Sequence, residues 1–238
     1  MCFHYSVTKA IPIIEKRYNA QFLQLAEFSP KYFINGFNFP FMPVVTNEFP
    51  KVIQLYRWGL VPFWAKDQKS ADSIKSATLN ARSETLLEKP SFKAPFKYKR
   101  CLVIADGFFE WRSYNNKKYP YYIKMKNGEL FSFAGLWDVW HDRTSGSEHY
   151  TFTIVTVPAN ALLSKIHNVK KRMPAILEKS SEHKWLSETE PDSLYKLLTP
   201  FSDDALEGYT ISKAVSRPDF NVNSLDILEK IDYNELPD

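Results

Sequence analysis

The sequence predicts a mixed α+β fold: one domain over residues 1–238, with a mostly antiparallel, partly closed β-barrel-like sheet and peripheral helices. Aromatic residues make up 16% of the 238 residues, and 15 prolines stand against 7 glycines. This balance is typical of aromatic-rich strands joined by proline-containing loops. Strand-like segments outnumber helical ones without a regular βαβ alternation, and no linker-like stretch or internal repeat divides the chain.

The predicted helices and strands, taken in chain order, support the α+β class. Residues 10–30 carry apolar side chains, including Leu25 and Phe28, at close to a helical period, which predicts a helix. A segment rich in proline and phenylalanine follows, and residues 52–65 then read as a strand and a turn. Residues 81–89 predict a short helix, and residues 180–199 predict one or two more. Four apolar segments predict strands, the first with an Asp-Gly bend: residues 100–111, 119–125, 130–140 and 150–159.

The charge, the cysteine count and the distribution of apolar residues limit the kinds of partner, compartment and cofactor that the protein can have. The net charge of +4 permits an anionic partner without requiring one. Two cysteines cannot form a disulfide framework, which favours a reducing compartment, so we expect a cytoplasmic protein. No apolar run approaches the ~20 residues that span a bilayer, and the N-terminus lacks the pattern of a signal peptide. No phosphate-binding glycine loop or metal-ligand spacing occurs, so we expect no cofactor and no metal.

Five segments carry residues suited to chemistry: Cys2, residues 80–85, residues 106–111, residues 134–138, and residues 166–167 with 172–174. Each has an ordinary explanation when taken alone. A cysteine at position 2 is usually incidental, Asn80 and Arg82 could cap and solvate a helix, and a lone histidine such as His167 is more often structural. Glu110 follows Phe109 and precedes Trp111, so it either projects to solvent or is buried with the raised pKa that an acid catalyst needs.

In combination these segments resemble the SRAP family (SOS response-associated peptidase, the abasic-site-processing proteins). The N-A-R-S-E-T, A-D-G-F-F-E-W, A-G-L-W-D and I-H…R-M-P-A-I-L segments occur in the order of that family, and W-G-L-V-P-F-W also matches. The resemblance runs from Cys2 to about Arg217, which makes residues 2–217 the expected core and residues 218–238 a C-terminal extension. It implies covalent capture of abasic sites in single-stranded DNA. We expect the chain to act as a monomer, associated with the nucleoid if the source is bacterial.

The resemblance also implies the roles of individual residues. Cys2 is expected to be the covalent nucleophile once Met1 is removed, Asn80 to position its amine, and Glu110 and His167 to handle protons. The residues expected to contact DNA are Arg82, Trp64, Trp58, Arg172 and Lys171.

The sequence departs from the family pattern at three places. The usual M-C-G-R start is replaced by Phe3 and His4, so the DNA contact of that arginine is in doubt. The short I-H-x-R-M-P is lengthened to I-H-N-V-K-K-R-M-P, so Lys170 or Lys171 could replace Arg172 at the phosphate. The segment from residue 37 to residue 43 matches only loosely.

Two basic clusters are further candidates for phosphate binding, although such clusters are as often solvated faces: Lys93, Lys97, Lys99 and Arg100 form one, and Lys170, Lys171 and Arg172 form the other. Exposed tryptophans would stack on unpaired bases, whereas buried ones belong to the core. Cys101, inside an apolar segment, is expected in the core.

Two other functions stay open: an N-terminal-nucleophile peptidase, in which the terminal amine acts as the base, and a non-catalytic single-strand binder in which Cys2 has no role.

Overall fold

Five strands pair in a closed ring in the computed structural model of the chain, which describes residues 2–23, 28–217 and 220–237. Around the ring they follow the order β4, β5, β11, β10 and β7, and β7 pairs with β4 to close it. Their bounds are Phe41–Thr46 (β4), Val52–Trp58 (β5), Arg100–Ala105 (β7), Phe131–His141 (β10) and Glu148–Pro158 (β11). All these pairings are antiparallel except β5 with β11.

A second sheet brings the N-terminus into the fold. Its order is β14-β9-β8-β1-β3, so the first strand of the chain lies between two others rather than at an edge. The strands are His4–Val7 (β1), Lys31–Asn35 (β3), Gly107–Tyr114 (β8), Lys117–Met125 (β9) and Leu206–Thr210 (β14). All four pairings in this sheet are antiparallel. Strands β7 and β8 are separated only by Asp106, which links the barrel to the second sheet.

Short strands and helices complete the domain. Four short strands join the barrel sheet: Gln21–Phe22 (β2), Asn80–Arg82 (β6), Arg172–Pro174 (β12) and Ile176–Leu177 (β13). The α-helices of the described residues are Ile11–Tyr18 (α1), Gln68–Ala77 (α2), Pro90–Tyr98 (α3), Ala161–Ile166 (α4), Glu182–Ser187 (α5) and Pro191–Tyr195 (α6). None of these helices is long and apolar enough to cross a membrane. The predicted α+β class, with a mostly antiparallel barrel and peripheral helices, is confirmed.

Aromatic rings fill the space between the barrel and the second sheet. Tyr5 of β1 contacts the rings of Trp58 and Phe133 edge-on, with centroids 5.1 and 5.8 Å apart. All three side chains are fully buried. Edge-to-face contacts of this kind add to the stability that burial of each ring already provides. The N-terminal strand is therefore part of the hydrophobic core, not a loose end.

The four predicted apolar strands are confirmed, and so are the strand at residues 52–58 and the two short helices within residues 180–199. Two helix predictions are wrong. The helix expected over residues 10–30 ends at Tyr18, because Asn19 adopts a left-handed conformation (φ 47°) and the chain continues into β2. Leu25 lies outside the described residues. The helix expected over residues 81–89 begins instead as β6 and a 3₁₀ turn at Ser83–Thr85, because residues 80–82 pair with β11.

Candidate active site

Cys2 is held in place by the strand that follows it. The carboxylate of Asp106 accepts hydrogen bonds from Ser6 Oγ, Thr8 N and Thr8 Oγ1, each at 2.6 Å. Glycine is required at position 107 because the Tyr122 ring packs against it, and an added Cβ would lie 2.2 Å from that ring. These contacts fix β1 against β8 in the register His4 opposite Phe109.

The Cys2 side chain is fully buried, and its Sγ lies 3.6 Å from the carbonyl oxygen of His4. Burial, followed by the nearby charge of Glu110, raises the pKa of the thiol well above its ordinary value. The thiol is therefore protonated at neutral pH and needs a proton acceptor before it can react. Met1, whose removal is expected from the sequence, lies outside the described residues.

Glu110 is buried because of strand alternation. On β8 the side chains of Phe109 and Trp111 belong to the outer cluster of the second sheet, whereas Phe108 belongs to the core. Glu110 falls on the same face as Phe108, toward the barrel. Its side chain is 4% exposed, and burial raises the pKa of the carboxyl group to about 8. Of the two possibilities that the sequence leaves open for Glu110, projection to solvent or burial with a raised pKa, the structure has the second.

His167 follows helix α4 and faces Glu110. Its Nδ1 lies 2.8 Å from the carbonyl oxygen of Arg172 and 3.7 Å from Glu110 Oε1. A carbonyl oxygen only accepts hydrogen bonds, so Nδ1 carries the hydrogen and Nε2 keeps its lone pair. Burial lowers the pKa of the imidazole to about 4, so His167 is neutral at pH 7. The His167–Glu110 pair is therefore not ionic near neutral pH.

Asn80 joins Cys2 to the barrel. Strand β6 pairs in parallel with β11, and Asn80 Nδ2 donates a hydrogen bond of 2.9 Å to the carbonyl oxygen of Cys2. The side-chain oxygen of Asn80 is buried and accepts no hydrogen bond from any described residue. A buried acceptor of this kind is unusual in a folded protein and fits a donor group that the site would receive. The structure thus brings Cys2, Asn80, Glu110 and His167 into one buried region.

Asn168 makes a contact near the site that the sequence alone does not reveal. Its side chain donates from Nδ2 to Ser113 O at 2.8 Å and accepts from Ser113 N at 3.1 Å. This two-point contact ties the lengthened segment after His167 to β8, three residues beyond Glu110. An asparagine directly after the histidine is the only signal, and its partners are backbone atoms 55 residues away in sequence.

Two of the expected phosphate-binding residues, Arg82 and Arg172, lie beside Thr156 of β11. Arg82 is paired with Thr156 in the β6–β11 register and is exposed to solvent. Arg172, reaching from the other side, donates to the carbonyl oxygen and hydroxyl of Thr156 and forms an ion pair with Glu84. Its side chain is only 12% exposed. Lys171, together with its neighbour Lys170, is exposed, which favours these lysines over Arg172 as the free cations of the lengthened segment.

Trp58 does not belong to a DNA-binding face, and that prediction is wrong. Its ring is completely buried, its Nε1 donates to Leu79 O at 2.8 Å, and Gly36 packs against the ring so closely that a Cβ there would lie 2.9 Å from it. Trp64 is 43% exposed and can meet a base.

The prediction that Arg100 belongs to a phosphate-binding basic cluster is also wrong, since this residue is 2% exposed. Its guanidinium group donates to backbone carbonyl oxygens at the C-terminal ends of α3 and α5, including those of Phe96 and Trp185. Such carbonyls have no partner within their own helix, so a buried arginine that satisfies them is a structural residue. Cys101 lies in the core, as expected.

Comparison with known proteins places the chain in a family. The family model described as SOS response associated peptidase (SRAP) matches residues 1–218. The chain belongs to this family. Abasic site processing protein YoqW of Bacillus subtilis is 38% identical over 225 residues, covering 93% of this chain and 96% of YoqW. Abasic site processing protein YoaM of the same organism is 36% identical over 233 residues, covering 96% of this chain and 98% of YoaM.

A solved structure extends the SRAP comparison to three dimensions. A crystal structure of a protein from Bacteroides thetaiotaomicron superposes with a TM-score of 0.92 at 37% sequence identity. It covers 97% of this chain and 100% of that protein. The SRAP match ends at residue 218, and the segment beyond it still contacts the domain: Tyr233 OH donates to Ile211 O at 3.0 Å.

Proposed function

We propose that the chain captures abasic sites in single-stranded DNA covalently, through a thiazolidine ring formed by Cys2 after Met1 has been removed. One observation carries the proposal. The buried N-terminal cysteine is held by Asn80 and lies near a protonated carboxyl group, Glu110, and a neutral imidazole, His167. The names of the relatives YoqW and YoaM, abasic site processing proteins, support the same substrate.

The reaction joins two tethered nucleophiles to one aldehyde. Removal of Met1 leaves an α-amine on Cys2, and an abasic site in its open form presents an aldehyde. The amine condenses with the aldehyde to an imine and releases one water molecule. The thiol sulfur then adds to the imine carbon while the nitrogen gains a proton, which closes a five-membered ring of S, Cβ, Cα, N and the sugar carbon. Because both nucleophiles belong to one residue, little association entropy is lost in the second step.

Ionisation favours the terminal amine over lysine side chains. With ordinary pKa values of about 7.7–8.0 for an α-amine and about 10.4 for lysine, roughly a quarter of the amine is neutral near pH 7.4, against about a thousandth of a lysine. The side-chain oxygen of Asn80 is available to accept a hydrogen bond from this amine. Asn80 is neutral, so it can orient the amine without raising its pKa by a charge.

Proton transfer is assigned to the other two residues. Glu110 keeps its proton up to about pH 8 and can protonate the oxygen that leaves as water. The Nε2 atom of His167 is unprotonated and can accept a proton when the thiol adds. The same groups in reverse order would open the ring, so the linkage is expected to be reversible. Outside this cluster, Arg82 and Lys171 would contact phosphates, and Trp64 would stack on a base.

The test is to incubate the processed chain with a single-stranded oligonucleotide that contains one abasic site, followed by a denaturing gel and intact mass analysis. A denaturation-resistant adduct is expected, with the mass of protein plus DNA minus one water. Cys2→Ser should abolish this adduct. Cys101→Ala is the matched control, because Cys101 is equally buried but lies in the core, and its adduct yield should stay normal. An adduct of normal yield with Cys2→Ser would overturn the proposal.

The two other readings give different outcomes in the same experiment. A single-strand binder would retain the oligonucleotide without an adduct, and Cys2→Ser would change nothing. A peptidase would cleave peptides in a manner that depends on Cys2. Autoproteolytic removal of Met1 would be visible in the intact mass of the chain, as a difference between wild type and a Glu110→Gln variant.

A further inference from the structure

An open groove that the capture chemistry does not use lies between helices α1 and α5. It has a volume of about 530 Å³, which is in the range of ligand sites. Strand β7 and the turn from β4 to β5 complete its walls, and none of the catalytic candidates lines it. We call it the α1–α5 groove, and its lining includes Tyr18, Val45, Lys51, Leu102, Lys179 and Leu186.

The floor of the α1–α5 groove is mainly aliphatic. Val45 of β4 and Leu102 of β7 are cross-strand partners and are almost completely buried, so they form its bottom. Leu186 of α5 and the ring of Tyr18 also line the groove. The hydroxyl group of Tyr18 donates to Phe131 O at 3.0 Å, so its polar atom already has a partner. The floor is therefore suited to the apolar side chains of a ligand.

The rim of the α1–α5 groove carries an excess of positive charge. Lys51 and Lys179 are exposed there, and neither forms an ion pair with any residue in the described ranges. Glu182 is the only carboxylate among the described residues that line the groove. It accepts hydrogen bonds of 2.8 and 3.0 Å from Arg17 and one of 2.7 Å from Ser132 Oγ. Because Arg17 balances the charge of Glu182, the two lysines are left to attract an anionic ligand.

The α1–α5 groove and the candidate active site lie at opposite ends of strand β5. Lys51 directly precedes this strand, whereas Trp58 ends it. The Trp58 end is the one near the active site, because Trp58 Nε1 donates to Leu79 O, next to Asn80. At about 3.3 Å per residue, the strand separates the two ends by about 20 Å. A ligand in the groove would therefore leave the region around Cys2 open to DNA.

We propose that the α1–α5 groove docks an acidic peptide segment of a partner protein, with apolar side chains on the floor and carboxylates on Lys51 and Lys179. An apolar centre within a polar rim is the usual arrangement of a protein interface. Single-stranded DNA is held instead by stacking on exposed aromatic rings, which an aliphatic floor does not provide. A second copy of the chain would bring the same cations face to face. The inference goes beyond the proposed function and does not depend on it.

The test uses three fluorescein-labelled peptides of equal length and the full chain. One peptide alternates aspartate with leucine, the second alternates lysine with leucine, and the third alternates aspartate with serine. Fluorescence anisotropy gives the Kd of each. One exposed ion pair is worth up to about fivefold in Kd, so two pairs should make the aspartate–leucine peptide bind at least about tenfold more tightly than the lysine–leucine peptide. The aspartate–serine peptide should also bind at least about tenfold more weakly, because it leaves the floor uncovered.

A charge reversal assigns this preference to the groove. The double variant Lys51→Glu with Lys179→Glu changes exposed side chains, so the fold should be kept. It should invert the preference, so that the lysine–leucine peptide binds more tightly than the aspartate–leucine peptide. The matched control is Lys117→Glu with Lys118→Glu, which makes the same change of net charge at exposed positions of β9, outside the groove. This control should keep the wild-type preference.

Four results would overturn the inference. The wild-type chain could bind both leucine peptides equally or neither of them, or the double variant could keep the wild-type preference. Displacement of the aspartate–leucine peptide by a single-stranded oligonucleotide would assign the two lysines to DNA. A wild-type dimer that excludes the peptide and is lost in the double variant would assign the groove to a second copy. Adduct formation with an abasic oligonucleotide should be normal in the double variant, so this test and that of the proposed function can fail separately.

Discussion

Glu110 Oε1 lies 3.7 Å from His167 Nδ1, and burial reverses the usual order of the two pKa values. A free glutamate loses its proton near pH 4.3 and a free histidine near pH 6.5. Here the pKa of Glu110 is raised to about 8 and that of His167 is lowered to about 4. Between these values both groups are neutral, so one residue is ready to donate a proton and the other to accept one. Pairs whose environments separate their pKa values in this way are typical of acid–base sites.

Glu110→Gln should slow adduct formation by about 10²-fold, the usual loss when a general acid or base is removed. The ratio of the wild-type rate to the variant rate should be constant at lower pH and fall above about pH 8, because only the wild type loses a proton from its acid there. This ratio cancels the ionisation of the terminal amine, which both proteins share. Single-turnover gels across pH 6 to 9 would measure it. Glu207→Gln, at a half-buried position on β14 where the carboxylate pairs with Lys124, is the control, and an unchanged rate in Glu110→Gln would make Glu110 a structural residue.

The same substitution should change how stability depends on pH. The folded-state pKa of Glu110 is raised, so its contribution is fully present below the unfolded pKa of about 4.5 and is lost as pH rises through about 8. Between these values the unfolded chain releases a proton that the folded chain keeps. The Tm of Glu110→Gln relative to wild type should therefore increase from pH 5 to pH 8.5, by about 2–8 °C for a change of about 1–2 kcal/mol. A constant Tm difference across this range would contradict the raised pKa.

His167 should act with the opposite sign. Its folded-state pKa is lowered, so its contribution is present above the unfolded pKa of about 6.5 and is lost as pH falls through about 4. His167→Gln should therefore lose less stability than wild type between pH 6.5 and pH 4. Thermal unfolding followed by circular dichroism in this window checks the sign, and His183→Gln, an exposed histidine on α5, is the control. An identical acid response in His167→Gln and wild type would contradict the lowered pKa.

The sequence predicts an element or a residue's burial correctly where the contacts that determine it are between residues close in sequence. Strand alternation and the Asp-Gly bend are local, so β7 to β11 and the burial of Glu110 were within reach. Arg100 looked like part of a basic surface because its acceptors, backbone carbonyls such as Trp185 O, are distant in sequence. Trp58 and the exposed Trp64 are the same residue type, and contacts distant in sequence distinguish them, such as the packing of Gly36 against the Trp58 ring and its hydrogen bond to Leu79 O. The sequence predicts a helix that continues beyond Tyr18, because the left-handed conformation of Asn19 that ends the helix leaves no signal in the apolar periodicity.

Asn168→Ala should loosen the segment that follows His167. Two hydrogen bonds to the backbone of Ser113 are lost, which should cost about 1–3 kcal/mol, measured by chemical denaturation. Adduct formation should also slow, because the His167 ring would no longer be held opposite Glu110. Val169→Ala, in the same segment but 70% exposed, should change neither quantity. Full activity in a destabilised Asn168→Ala protein would show that this contact serves folding alone.

Asp106→Asn should weaken the anchor of the N-terminal strand. The carboxylate receives three donors, from Ser6 Oγ, Thr8 N and Thr8 Oγ1, and an amide would turn one NH₂ group toward donors. Loss of hydrogen bonds to a buried charge should lower the free energy of unfolding by about 2–4 kcal/mol, measured by urea denaturation. Asp72→Asn, at an exposed ion pair, should cost less than about 1 kcal/mol.

The consequence for capture follows from the position of β1 between β8 and β3. If Asp106 fixes this strand, Asp106→Asn should slow adduct formation even at temperatures where the variant is fully folded, because Cys2 and Glu110 are aligned through the β1–β8 register. Ser6→Ala, which removes one of the three donors, should give a smaller effect in the same direction. Normal capture by a folded Asp106→Asn protein would show instead that Asn80 and the core contacts of Tyr5 are sufficient to hold the N-terminus in place.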